Sequence, residues 1–107
     1  MIPQLEKLLG TARDGALLRY SLGLEYAKSG DHARAIQYLR DAVERDPLYS
    51  AAWKALGNAL REAQPEDALD AYRRGIAAAQ KKGDKQAEKE MTVFARRLEK
   101  TLGEKPG

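Results

Sequence analysis

Apolar side chains recur at three- and four-residue intervals along most of the chain, and glycine, proline and acidic residues break that rhythm into six segments. Leu5, Leu8 and Leu9 fall on one side of a short first helix that Pro3 opens and Gly10 ends. A second helix is expected over about 15–29, with Leu22 and Tyr26 inward and Asp14 as its cap. Gly30 stops it and Asp31 caps a third over 32–45, carrying Ala35, Leu39 and Ala42, which Pro47 keeps from continuing. Ala52, Trp53, Leu56 and Leu60 mark a fourth over about 50–63. Pro65 opens a fifth that runs to about 81 before Gly83, with Glu66 and Asp67 near its positive end. Asp84 caps a last helix to about 102, with Ala87, Met91, Phe94, Ala95 and Leu98 on one arc, and the tail 103–107 is expected to be disordered.

The segments repeat. Leu22-Gly23, Tyr26, Gly30-Asp31, Ala35, Leu39, Ala42 and Pro47 are followed by Trp53, Leu56-Gly57, Leu60, Ala68 and Tyr72 in the same order, with Gly23 and Gly57 separated by 34 residues. In this pattern the chain resembles the tetratricopeptide repeat family. The resemblance implies an all-α, right-handed superhelical stack of antiparallel helix hairpins that holds a peptide or partner-protein segment in its concave face. It divides the chain into a capping helix and loop (1–14), a first repeat (15–49), a second repeat (50–82), a closing helix (83–102) and the tail, all in one domain. The physical basis is steric: Gly23 with Ala35, and Gly57 with Ala68, would let the helices of a hairpin cross closely, while Tyr26, Leu39, Leu60 and Tyr72 fill the space beside. The second copy departs in four ways. It has Trp53 where the first has Arg19, Gly75 for Ala42 and Gln80 for Pro47, and its inter-helix turn Ala63-Gln64-Pro65-Glu66 is one residue shorter.

Composition narrows the chemistry. The chain has 107 residues, 43% hydrophobic and 33% charged, with no apolar run near the roughly 20 residues of a membrane span. No basic-then-apolar leader precedes the first helix, so a cytoplasmic location is expected. The absence of cysteine excludes disulfides, thiol catalysis and Cys-ligated zinc, and His32 stands alone. Carboxylates such as Glu66-Asp67 and Asp41 with Glu44 are accounted for by helix starts and exposed pairs, and there is no Gly-rich phosphate loop. No catalytic residue, cofactor or metal is therefore expected. The net charge of +3 is unevenly placed: residues 1–80 carry 11 basic and 11 acidic side chains, whereas residues 81–107 carry eight basic and five acidic.

In the family the first helix of each unit lines the inner curve, which makes its outward residues the candidate binding surface. They are Leu17, Tyr20, Leu24 and Lys28 in the first copy and Ala51, Lys54, Asn58 and Arg61 in the second. On the last helix Lys85, Lys89, Arg96 and Lys100 form a stripe opposite the apolar arc, and Lys85, Lys89 and Arg96 are expected to look into the same groove. Such a groove, apolar near Tyr20 and basic beyond, suits a segment with an acidic or carboxylate end. Some family members grip a C-terminal carboxylate through Lys and Asn one turn apart. Lys54 and Asn58 match that half, and Lys89 stands where a second Asn would be needed. Trp53, Met91 and Phe94 are read as core, and His32 as a surface residue.

Two other classes compete. A nucleic-acid-binding repeat would use the basic last helix, but the balanced charge of residues 1–80 offers no continuous phosphate track, which disfavours it. A self-associating module would pair its ends through Leu5, Leu8 and Leu9 or Phe94, Leu98 and Leu102, giving a monomer or a weak homodimer.

Overall fold

The computed structural model describes residues 1–103, so the expectation for the tail beyond Gly103 lies outside the described residues. Six helices follow in order: α1 (Ile2–Glu6), α2 (Ala16–Lys28), α3 (His32–Arg45), α4 (Ser50–Leu60), α5 (Pro65–Lys82) and α6 (Lys85–Thr101). Each packs on the next, and short turns fold α2 back on α3 and α4 back on α5 as antiparallel hairpins. The first helices also touch in series, α2 to α4 and α4 to α6. The result is an elongated stack, 45 × 29 × 18 Å.

Most boundaries follow from local chemistry. Asp31 caps α3 by accepting from the Arg34 N–H at 3.1 Å, and Asp84 caps α6 by accepting from the Ala87 N–H at 3.1 Å. Gly83 ends α5 with φ 71°, a left-handed conformation that lets the Asp84 N–H donate back to the Ala79 carbonyl at 2.8 Å. Two expectations are corrected. Asp14 does not cap α2, whose N-cap is Gly15 with no side-chain bond; the Asp14 carboxylate turns instead to the Gly10 N–H (2.9 Å) and to Arg19. Helix α4 stops at Leu60 rather than 63, because residues 61–63 form the turn that delivers Pro65 to the first position of α5.

The core also refines the expected crossing. A Cβ on Gly23 would lie 2.5 Å from Leu39 Cγ, and one on Gly57 would run into the Tyr72 ring. The glycine on each first helix is thus a socket for a large side chain of the second helix, and Ala35 and Ala68 are fully buried without being the knobs. Leu39 and Tyr72 are themselves 0% exposed. Gly75 repeats the device toward the closing helix, where a Cβ would collide with the Met91 thioether and lie 2.7 Å from Trp53 Cβ. The Met91 side chain thus fills the space that Gly75 leaves. At the other end Leu18, Leu22, Tyr26 and Ala35 form a smaller cluster roofed by Ile2, Leu5, Leu8 and Leu9.

Candidate functional site

The first helices α2, α4 and α6 are linked along one side by three side-chain contacts. Tyr20 of α2 meets Tyr49, the residue before α4, with ring centroids 4.9 Å apart. Lys54 of α4 pairs with Glu90 of α6 at 3.2 Å, and the Arg61 guanidinium lies 5.7 Å from the Phe94 ring centre. These contacts come from the positions expected to face a ligand, so part of that surface is spent on holding neighbouring first helices together.

Leu17 is 68% exposed, the most exposed large apolar side chain within a helix turn that also presents a tyrosine. With Tyr20 and Leu24 it occupies positions i, i+3 and i+7 of α2, one face of the helix, with Tyr20 and Leu24 half-buried. Lys28 is exposed at the end of that face and lies 3.8 Å from Glu25, while Ala51 is half-buried. Asn58 is exposed, yet its carbonyl accepts from the Tyr72 hydroxyl across the hairpin, which orients the amide.

The basic residues do not share one cleft. Asn58 and Arg61 line a depression of about 440 Å³ with His32, Ile36 and Glu62, between the C-terminal end of α4 and the start of α3. Lys85 and Lys89 line a separate one of about 520 Å³ with Glu88, Thr92 and Val93, all on α6. Arg96 is exposed on the same helix. Lys54 and Arg61 of α4 reach Glu90 and Phe94 on α6, while Lys85 and Lys89 line a different depression from Asn58. Met91 seats against Gly75 and Glu99 pairs with Arg73, which fixes the register of α6 on α5 and leaves Lys85, Lys89 and Arg96 exposed.

Sequence reading missed a third depression, of about 400 Å³, between α3 and α5. Its floor is Trp53, Leu56 and Leu60, with Arg40 and Arg74 on facing walls. Trp53 is half-buried rather than core, and its indole N–H donates to the Pro47 carbonyl at 2.8 Å. Residues from three helices make this hollow, so no spacing within one helix could announce it. Arg19, where the second copy has Trp53, is held by Asp14 at 2.8 Å and by Asp41 at 3.0 Å. The Arg19 hydrogen bonds, aided by the Gly10 N–H, keep the Asp14 carboxyl well below the usual carboxylate range. A polar clasp thus replaces the indole in the first unit.

Comparison with known proteins places this arrangement. A family model described as Tetratricopeptide repeat matches residues 16–59, which span α2, α3 and most of α4. The TPR repeat-containing protein PA0015 of Pseudomonas aeruginosa is 50% identical over 101 residues, 94% of this chain and 96% of that protein. Among solved structures, protein BPP2914 from Bordetella parapertussis superposes with a TM-score of 0.79 at 41% identity, covering 94% of this chain and 89% of its own. A tetratricopeptide repeat domain protein from Salinibacter ruber gives a TM-score of 0.74 at 29% identity, covering 80% and 97%.

Proposed function

The chain belongs to the tetratricopeptide repeat family, whose members are generally protein–protein interaction modules, and on that premise we propose that it is a non-catalytic adaptor. Its two repeats, 15–49 and 50–82, would hold an extended or helical segment of a partner across the exposed sides of α2 and α4. The observation that carries this reading is the apolar face of α2, where Leu17 is 68% exposed beside Tyr20 and Leu24 although its neighbour Leu18 is buried. A large leucine kept in water at the start of an otherwise well-packed helix suits a side chain that closes over a ligand. Lys28 at the far end of α2, and Asn58 and Arg61 on α4, supply polar groups further along, with Asn58 oriented by Tyr72 and Arg61 by Phe94. Lys54, committed to Glu90, would serve to hold α4 against α6.

The test is selection of binding peptides from a random library on the full chain, followed by amide chemical-shift mapping. Shifts centred on Leu17, Tyr20, Leu24 and Asn58, with at least tenfold weaker binding for Leu17→Glu, are expected. Shifts confined to the depression between α3 and α5 would refute the assignment of the face.

A further inference from the structure

Helix α6 segregates its charges by sign. Three of the four acids at positions 84–99 turn toward the body of the protein, and the fourth, Glu88, lines the depression beside Lys85 and Lys89; all four are engaged. Asp84 accepts from the Ala87 N–H and from the Ser50 hydroxyl at 3.0 Å, and Glu88 accepts from the Gln80 amide at 3.1 Å. Glu90 pairs with Lys54 at 3.2 Å and Glu99 with Arg73 at 2.9 Å. The cations Lys85, Lys89, Arg96, Arg97 and Lys100 are exposed, and none pairs with an acid among the described residues. At 100° per residue they fall within about 120° of arc, a stripe about 22 Å long. Val93 lies inside that arc, 47% exposed, at the edge of the depression that Lys85 and Lys89 line.

We infer that this outward face of α6 is a second docking surface, separate from the α2–α4 face, and that it takes an acidic amphipathic helix of a partner protein. Lys85 and Lys89, and Arg96 and Lys100, are like charges at i, i+4, a spacing at which they repel on a helix. An acidic partner removes that repulsion and forms charge-assisted hydrogen bonds in its place. The exposed Val93 gives such a helix one apolar contact at the centre of the cationic field.

The alternatives fit less well. A further hairpin helix of the repeat kind would need a glycine socket, and the position 34 residues after Gly57 is Met91, buried against Gly75. A second copy of the chain offers Glu44, Glu62, Glu66 and Asp67, but these are spread over α3, the turn after α4 and the first turn of α5 and form no acidic stripe along one helix; Asp14, Glu25, Asp31, Asp41 and Asp70 are already paired. Single-stranded nucleic acid would want aromatic stacking platforms, and the outward arc of α6 carries none; Phe94 faces Tyr72.

The proposal is tested on the full chain by fluorescence anisotropy. The probe is a labelled, end-blocked helical peptide of about 15 residues with Glu at i, i+3 and i+4 around one Leu. The expected result is salt-sensitive binding, weakened at least tenfold by Lys85→Glu/Lys89→Glu/Arg96→Glu and unchanged by Leu17→Glu. The reversed variant should instead take the same peptide with Lys in place of Glu. These side chains are exposed, and circular dichroism checks that the variant folds; should it not, Lys89→Gln/Arg96→Gln replaces it. Equal binding to wild type and variant, no binding even at low salt, loss with Leu17→Glu alone, or tighter binding of a single-stranded 12-mer DNA would each overturn it. Leu17→Glu keeps the two surfaces distinguishable, because only the α2–α4 reading depends on that residue.

Discussion

Gly57→Ala probes the packing device on which the stack depends. Gly57 lies inside α4 and is buried against Tyr72, and the added methyl carbon would sit 2.6 Å from Tyr72 Cδ1. Two carbons rest comfortably at about 3.5–4.0 Å, so the ring must retreat by about 1 Å. It has little room: Tyr72 is 0% exposed, its hydroxyl is tied to Asn58, and the Phe94 ring centre is 5.5 Å away. Overpacking of this kind costs about 1–3 kcal/mol, while Ala in place of Gly gains about 1 kcal/mol of helix propensity. The net loss is then about 0–2 kcal/mol, and for a domain of this size each kcal/mol lowers Tm by about 4–8 °C. The decisive experiment is a double-mutant cycle by thermal or urea denaturation. With Tyr72→Ala already in place the obstruction is gone, and Gly57→Ala should change sign and stabilise by about 1 kcal/mol. An unchanged effect of Gly57→Ala in the two backgrounds, or a raised Tm in the parent protein, would refute the glycine-socket account.

Three more outcomes follow from the same geometry. Asp14→Asn should lower Tm at neutral pH and lose that effect in acid: a depressed carboxyl stabilises fully above its ordinary pKa of about 3.9 and ceases to as pH falls through its lower folded value. In melts of both proteins from pH 7 to pH 2 the difference should therefore hold down to about pH 4 and shrink progressively below it. Glu6→Ala removes the acceptor for Tyr26 (2.8 Å) and Tyr38 (3.2 Å), a loss of about 1.5–3 kcal/mol for a charged acceptor, and should be seen as faster hydrogen exchange at α1 and the start of α2. Asp31→Ala should cost about 1 kcal/mol as the loss of a helix cap; Asp84→Ala should cost more in urea denaturation, because Asp84 also receives the Ser50 hydroxyl.

Much of the fold can be read along the chain because its punctuation is local. Asp31, Asp84, Gly83 and Pro65 act on backbone groups within five residues, so their roles hold whatever packs around them. The 34-residue recurrence of Gly23 and Gly57 likewise announces a stack, since one helix cannot bury its apolar stripe without a neighbour. Local reading fails where a second local partner competes. Asp14 has a cap's composition and spacing, but Arg19 and the Gly10 N–H hold its carboxylate more strongly than a helix start would.

Rotation about a helix axis is decided only in three dimensions. The alternation of apolar and polar positions places the cations of α6 opposite its core arc within a wide sector. Whether that sector opens on the α4 side or along the end of the stack depends on how Met91 seats against Gly75 and where Glu90 and Glu99 find their partners. The same holds for the knob on each glycine, which is Leu39 or Tyr72 rather than the alanine at matching spacing, and for the hollow floored by Trp53. Periodicity sets which residues share a helix face; the energy of nesting one helix against two others, summed over contacts far apart in the chain, sets where that face points.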